Sequence, residues 1–138
     1  MKQDFHTVTI PTHGARLYEF TAAAKAFVAK SGITDGLLTC FIRHTSASLL
    51  IQENADPNVQ KDLIAAFSRL APEDFPYKHD EEGPDDMPSH IKSALTVVSL
   101  SVPVRGGKLA LGTWQGLYLF EHRHAAHRRE VLLHLIGE

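Results

Sequence analysis

The sequence predicts an α+β fold: a mostly antiparallel, β-sandwich-like core with two or three helices, in the order ββαββα(α)ββββ. Three observations predict it. Short segments rich in β-branched and aromatic residues follow one another through links too short for parallel crossovers. Two stretches break that rhythm with apolar residues at helical spacing. The 138 residues, 43% hydrophobic and 22% charged, are the length and composition of one globular domain spanning residues 1–138, with helices covering one side of its core.

Residues 5–10 are β-branched and read as a strand, 11–14 as a turn and 15–20 as the returning strand. Thr21 is placed to cap an alanine-rich helix over 22–30, stopped by Gly32, with Ala23, Ala26, Phe27 and the stem of Lys30 on its covered side. Residues 36–44 and 48–53 are strands. Asp56 then caps a helix with Pro57 in its first position, and Val59, Leu63, Ala66, Phe67 and Leu70 recur on one face. Pro72 and Pro76 end it. A loop over 77–90 follows, too acidic for core and too broken by Gly83, Pro84 and Pro88 for one regular element; Pro88 can start a short helix to Leu95. Strands at 96–104, 109–112, 116–122 and 129–136 complete the chain, with a Gly106-Gly107 turn after the first.

A formal charge of −2 gives no general attraction to nucleic acid or to an anionic membrane, and no apolar run approaches the roughly 20 residues that span a bilayer. The first residues have no signal-peptide character, and one cysteine, Cys40, cannot form an internal disulfide; both point to a cytoplasmic protein. Cys40 sits mid-strand without an activating neighbour and reads as a small buried residue.

Nine histidines are the compositional anomaly. Arg43-His44-Thr45-Ser46-Ala47-Ser48 lies where one strand turns into the next, and its small hydroxyls and donors make an anion cradle or a self-satisfied turn. Glu53 ends an apolar strand, where a carboxylate meets either solvent or a site. The acidic loop carries five carboxylates between His79 and His90, and its Gly and Pro residues fix its path. One His with one or two carboxylates suits Zn²⁺ or Mn²⁺, and carboxylates alone suit Mg²⁺. Trp114 lies in a turn beside Gln115. Beyond it, strand alternation turns either His122 or the pair Glu121 and Arg123 toward a site. His124 and His127, with Arg128 and Arg129, read as exposed surface. His6, His13 and His134 carry no functional signal.

These motifs together strongly resemble the YjbQ-like family, known as secondary thiamine-phosphate synthase: residues 43–49, 52–57, the 79–92 string with its Asp85-Asp86-Met87-Pro88-Ser89-His90, 111–116 and 121–123. The resemblance covers nearly the whole chain. It implies a seven- or eight-stranded α/β sandwich, assembled as a homotrimer, with a site of histidines and acids that holds a divalent metal (Mg or Zn) or a phosphate-like anion. The activity it implies is a weak joining of hydroxymethylpyrimidine pyrophosphate to thiazole phosphate, releasing pyrophosphate, which makes small phosphorylated molecules the expected partners. On that reading His79, His90 and His122 are metal ligands. Glu53, Asp85, Asp86 and His44 are catalytic. Arg43, Thr45, Ser46, Ser48, Trp114, Gln115 and Arg123 bind substrate or phosphate, with Trp114 stacking on a ring. The alternatives are a metal-assisted hydrolase of a phosphoester or amide, and a non-catalytic trimer that binds a metabolite or metal.

Overall fold

The computed structural model describes residues 1–138. Eight strands and three helices follow in the expected order: β1 (Lys2–Thr12), β2 (Arg16–Glu19), α1 (Thr21–Ser31), β3 (Gly36–Ile42), β4 (Ala47–Glu53), α2 (Pro57–Leu70), α3 (Asp86–Leu95), β5 (Ser99–Arg105), β6 (Lys108–Leu109), β7 (Gln115–Glu121) and β8 (His127–Gly137). All pairings are antiparallel, in a five-stranded sheet β1-β8-β3-β5-β6 and a three-stranded sheet β2-β7-β4.

The core follows from strand alternation. In β8, Val131, Leu133 and Leu135 are fully buried, as are Leu38 and Cys40 in β3. They pack against Ala47, Leu49, Leu117 and Leu119 of the small sheet in one cluster. The Cys40 thiol is pushed up to about 12 by burial, so it stays an inert core side chain. The far face of the small sheet carries Leu17, Tyr118 and Phe120, and α2 covers it with Ile64 and Phe67. Because β7 is apolar on both sides, it is buried almost end to end.

The helices differ from the sequence expectation in instructive ways. Thr21 is the first residue of α1 and not its cap; Phe20 holds that position without a side-chain bond. The Thr21 hydroxyl instead donates to Glu19 and accepts from the Leu117 amide, tying α1 to β7. The buried stripe is Thr21, Ala24, Phe27 and Val28, so Ala26 and Lys30 face out. Helix α3 begins at Asp86, two residues before Pro88. Proline is accommodated there because first-turn amides have no intrahelical acceptor to lose. At its other end Thr96 leaves the predicted strand, caps α3 and donates its hydroxyl to the Lys92 carbonyl. The strand expected at 109–112 shortens to two residues. Gln115 closes a turn on Gly112, accepting its amide at 2.8 Å through Oε1 and donating its own amide to the Gly112 carbonyl at 3.1 Å.

Asp56 does cap α2: its side chain accepts the Asn58 amide at 2.9 Å, with Pro57 in the first turn. Replacing Asp56 with Ala should cost about 1 kcal/mol of unfolding free energy in urea titration, with an unchanged denaturant slope.

Candidate metal centre

Three side chains from the acidic loop and α3 converge. Asp86 and His90 are four residues apart on α3, which puts them on one face, and the loop folds His79 back onto the same spot. The His79 Nε2 lies 2.6 Å from Asp86 Oδ2, and His90 Nε2 lies 3.3 Å from that same oxygen. The two rings meet edge to face, with centroids 5.3 Å apart. The loop reaches this arrangement through Gly83, whose φ of +102° is a conformation that side chains with a Cβ rarely adopt.

The surrounding groups orient this triad. His90 Nδ1 is 3.1 Å from the Thr45 carbonyl, which can only accept, so Nδ1 carries a proton, and in the neutral ring the Nε2 lone pair points at the cluster. Arg123 takes the other Asp86 oxygen, Oδ1, at 2.7 Å, and also donates to Asp85 Oδ2 at 3.1 Å and to the Glu82 carbonyl at 2.9 Å. Burial by itself would raise Asp86; the His79 hydrogen bond and the charges of Arg123 and His90 outweigh it and hold the carboxyl below its usual range. Asp85 is likewise lowered: burial opposes, but the His124 amide and Arg123 prevail. The His79 imidazole is raised, chiefly by its bond to Asp86.

This donor set fits a divalent transition ion. Two imidazoles and one carboxylate around open positions make the facial arrangement of zinc and non-haem iron sites. With metal–ligand bonds of about 2.0–2.1 Å, tetrahedral ligand atoms stand roughly 3.3 Å apart. The His90–Asp86 separation already matches that spacing; His79 would exchange its proton for the ion.

The structure does not bring every sequence-predicted residue here. His122 is 1% exposed. Its Nε2 bonds Ser48 Oγ at 2.9 Å, Ser48 is in turn bonded to Thr96, and His122 Nδ1 has no partner. Strand alternation sets it on the helix-covered face of the small sheet beside Phe120, ring centroids 4.4 Å apart, with Ser48 as its buried partner, so the expectation that it ligates with His79 and His90 is corrected. His44 accepts the Glu130 amide through Nε2 at 3.1 Å. Ser46 meets Arg129, and Thr45 contributes only its carbonyl to the centre. Arg43 is exposed beside this loop.

Glu53, Trp114 and Gln115 lie at the opposite end of the small sheet. Glu53 pairs with Gln115, whereas Ala47 pairs with Glu121, so six residue steps of roughly 3.3 Å separate the two ends. Glu53 accepts the Asp56 amide there, and Trp114 is 62% exposed. One copy of the chain therefore does not unite them with His79, Asp86 and His90.

Arg129, read from the sequence as surface, is buried, and it neutralises Glu121, which is 0% exposed. Its signal was available: Arg129 is in phase with Val131, Leu133 and Leu135. Missed for a different reason were Asp86 and His90 as an i, i+4 pair, because a helix starting at Pro88 leaves Asp86 outside it.

With this geometry in place, the molecule is defined as an antiparallel β-sandwich protein carrying a cluster of two histidines and an aspartate at one end. The chain belongs to the UPF0047 protein YjbQ-like family, whose profile matches residues 6–138. It is 51% identical to UPF0047 protein sll1880 of Synechocystis over 99% of this chain and 94% of that one. It is 50% identical to YjbQ of Salmonella typhimurium over 77% of each. An uncharacterized conserved protein of the YjbQ/UPF0047 family from Clostridium acetobutylicum superimposes with a TM-score of 0.89 at 33% identity, covering 95% of this chain and 99% of that chain.

Two outcomes are expected. Arg129→Met leaves Glu121 buried without its cation and should cost about 3–5 kcal/mol in denaturant unfolding. His122, pulled from 6.5 to about 3 by burial and by Lys92, stays neutral in the native state while the unfolded chain takes up a proton below 6.5. Glu121 is held low by Arg129 and Thr12 against its burial, so its contribution is also lost as pH falls through its native value. Stability should therefore decline as pH drops from 6.5 toward 3, by about 1.4 kcal/mol per pH unit for the His122 proton alone, and His122→Gln should flatten that slope.

Proposed function

We propose that the protein is a metal-dependent enzyme of small phosphorylated molecules, with a divalent transition ion held by His79 Nε2, Asp86 Oδ2 and His90 Nε2. The observation that carries this reading is the convergence of two imidazole nitrogens on one carboxylate oxygen, whose other oxygen is taken by Arg123, with Thr45 setting the His90 tautomer. The ion would supply Lewis acidity at a polarised phosphoryl or carbonyl oxygen. The loop of Arg43, His44, Thr45 and Ser46 adjoins His90, and the exposed Arg43 is the cation on that side available to a phosphate.

The specific reaction we favour is transfer of the thiamine-phosphate type. Metal-assisted hydrolysis is the second reading, because the Arg123 guanidinium is already spent on Asp85, Asp86 and Glu82 and cannot also bind a pyrophosphate. A homotrimer fits the uncovered face of the large sheet. Its adjoining rows Thr7-Leu132-Phe41-Ser99, Phe5-His134-Thr39-Ser101 and Gln3-Ile136-Leu37-Pro103 contain no Asp, Glu, Lys or Arg. A buried, unreactive Cys40 agrees with a cytoplasmic setting.

Metal analysis of purified protein, with turnover of the two thiamine precursors and of simple phosphoesters before and after chelation, tests the proposal. Arg123→Met should weaken metal binding roughly 10–100-fold as an outer partner, and His79→Ala or His90→Ala should weaken it further. Unchanged metal content in both histidine variants rejects the centre.

A further inference from the structure

Beside His79 lies a pocket of about 270 Å³ lined by Glu73, Phe75, Tyr77, His79 and Asp80 together with the Gly83–Pro84 turn. No lysine or arginine lines it. Phe75 is 58% exposed, although a large aromatic is ordinarily covered. Its ring stands 5.0 Å from that of Tyr77, tilted by 47°, so the two form adjoining walls and not a closed stack. The segment is held in that shape: the Tyr77 hydroxyl donates to the Pro72 carbonyl at 2.7 Å, its amide donates to the Phe75 carbonyl at 2.9 Å, and Pro72 and Pro76 restrict the backbone.

From this arrangement we infer that the pocket recognises an organic cation, an alkyl- or arylammonium group, on the molecule that the metal centre acts upon. Glu73 is held by His124 Nε2 at 3.1 Å, so the two rings and the Asp80 carboxylate are the groups that attract a weakly hydrated cation, through the ring quadrupoles and through charge. A phosphate there would face Glu73 and Asp80 with no donor from lysine or arginine. A neutral apolar group would satisfy the rings but gain nothing from the carboxylates. The substrate is thus bipolar: its cationic end lies against the walls formed by Phe75 and Tyr77, and its reacting end reaches past His79 toward the metal centre. The inference rests on the proposed metal centre for that orientation, whereas the cation pocket itself needs no metal.

Choline and its uncharged carbon isostere, 3,3-dimethylbutan-1-ol, are the probes, titrated into full-length, chelated protein while the backbone amide signals of residues 73–84 are followed by NMR. Choline should give saturable shifts and bind about fivefold or more tightly than the alcohol, and Phe75→Leu or Tyr77→Leu should weaken it about two- to fivefold. If the parent protein binds choline while taking up no metal, the metal reading fails and the pocket stands. Equal binding of the alcohol, undiminished binding in both aromatic variants, or no saturable shift overturns the inference. A loss of molecular mass in Phe75→Leu alongside an unresponsive parent protein would show a second copy covering the rings, and overturns it too.

Discussion

A single buried ion pair holds together the end of the sandwich that carries the cluster of His79, Asp86 and His90. The Glu121 carboxylate ends β7 in the small sheet, and Arg129 opens the buried part of β8 in the large one. Removing a carboxylate from water costs several kcal/mol, so such a charge persists only when its acceptor sites are filled. Here Oε1 accepts Arg129 at 2.6 Å and the Arg123 amide at 3.1 Å, while Oε2 accepts Arg129 at 2.7 Å and the Thr12 hydroxyl at 2.7 Å. The pair binds both sheets, and β1 through Thr12, into one rigid corner.

The candidate centre is built outward from that corner. Arg129 also bonds Ser46 Oγ at 2.9 Å, which fixes the loop whose next carbonyl, that of Thr45, orients His90. Glu121 fixes the backbone of Arg123, whose guanidinium then braces Asp85 and Asp86. The Ser89 hydroxyl on α3 donates to the His122 carbonyl at 3.0 Å and secures the helix against the same strand end. Precise ligand placement needs such support from rigid elements, and here each support is a hydrogen bond to a group whose own position is settled by burial. His79 is the exception, since it comes from the loop and meets the others only through Gly83.

Much of this was legible before the chain was folded. Val131, Leu133 and Leu135 announced β8 by their period of two, and Asp56-Pro57 announced α2 through the chemistry of its cap. The acidic string was marked as the place to look for a cluster by its histidines and its fixed turns, and His79, Asp86 and His90 do converge there. What misled was local reasoning about groups whose partners are distant. Thr21 looks like a cap, but Leu117 and Glu19 claim its hydroxyl. Pro88 looks like a helix start, but Asp86, two residues earlier, is recruited by Arg123 and His79. His122 looks like a ligand, but it is buried beside Phe120 on the helix-covered face and Ser48 receives it. Glu53 and Trp114 look like members of one site, but the register of β4 on β7 sends them to the far end.

By itself, the sequence determined the order of elements, the antiparallel pairing and the residue types from which a metal or anion site can be made. These depend on short-range periodicity, turn chemistry and side-chain functional groups, all of which are local properties. Only the tertiary structure decided which imidazoles share a carboxylate, because that choice turns on strand register and on which face of each element is buried. A shift of one residue in β7 would exchange the roles of Glu121 and His122, and nothing in the local pattern of that strand, apolar on both faces, says which of them meets Arg129 between the sheets.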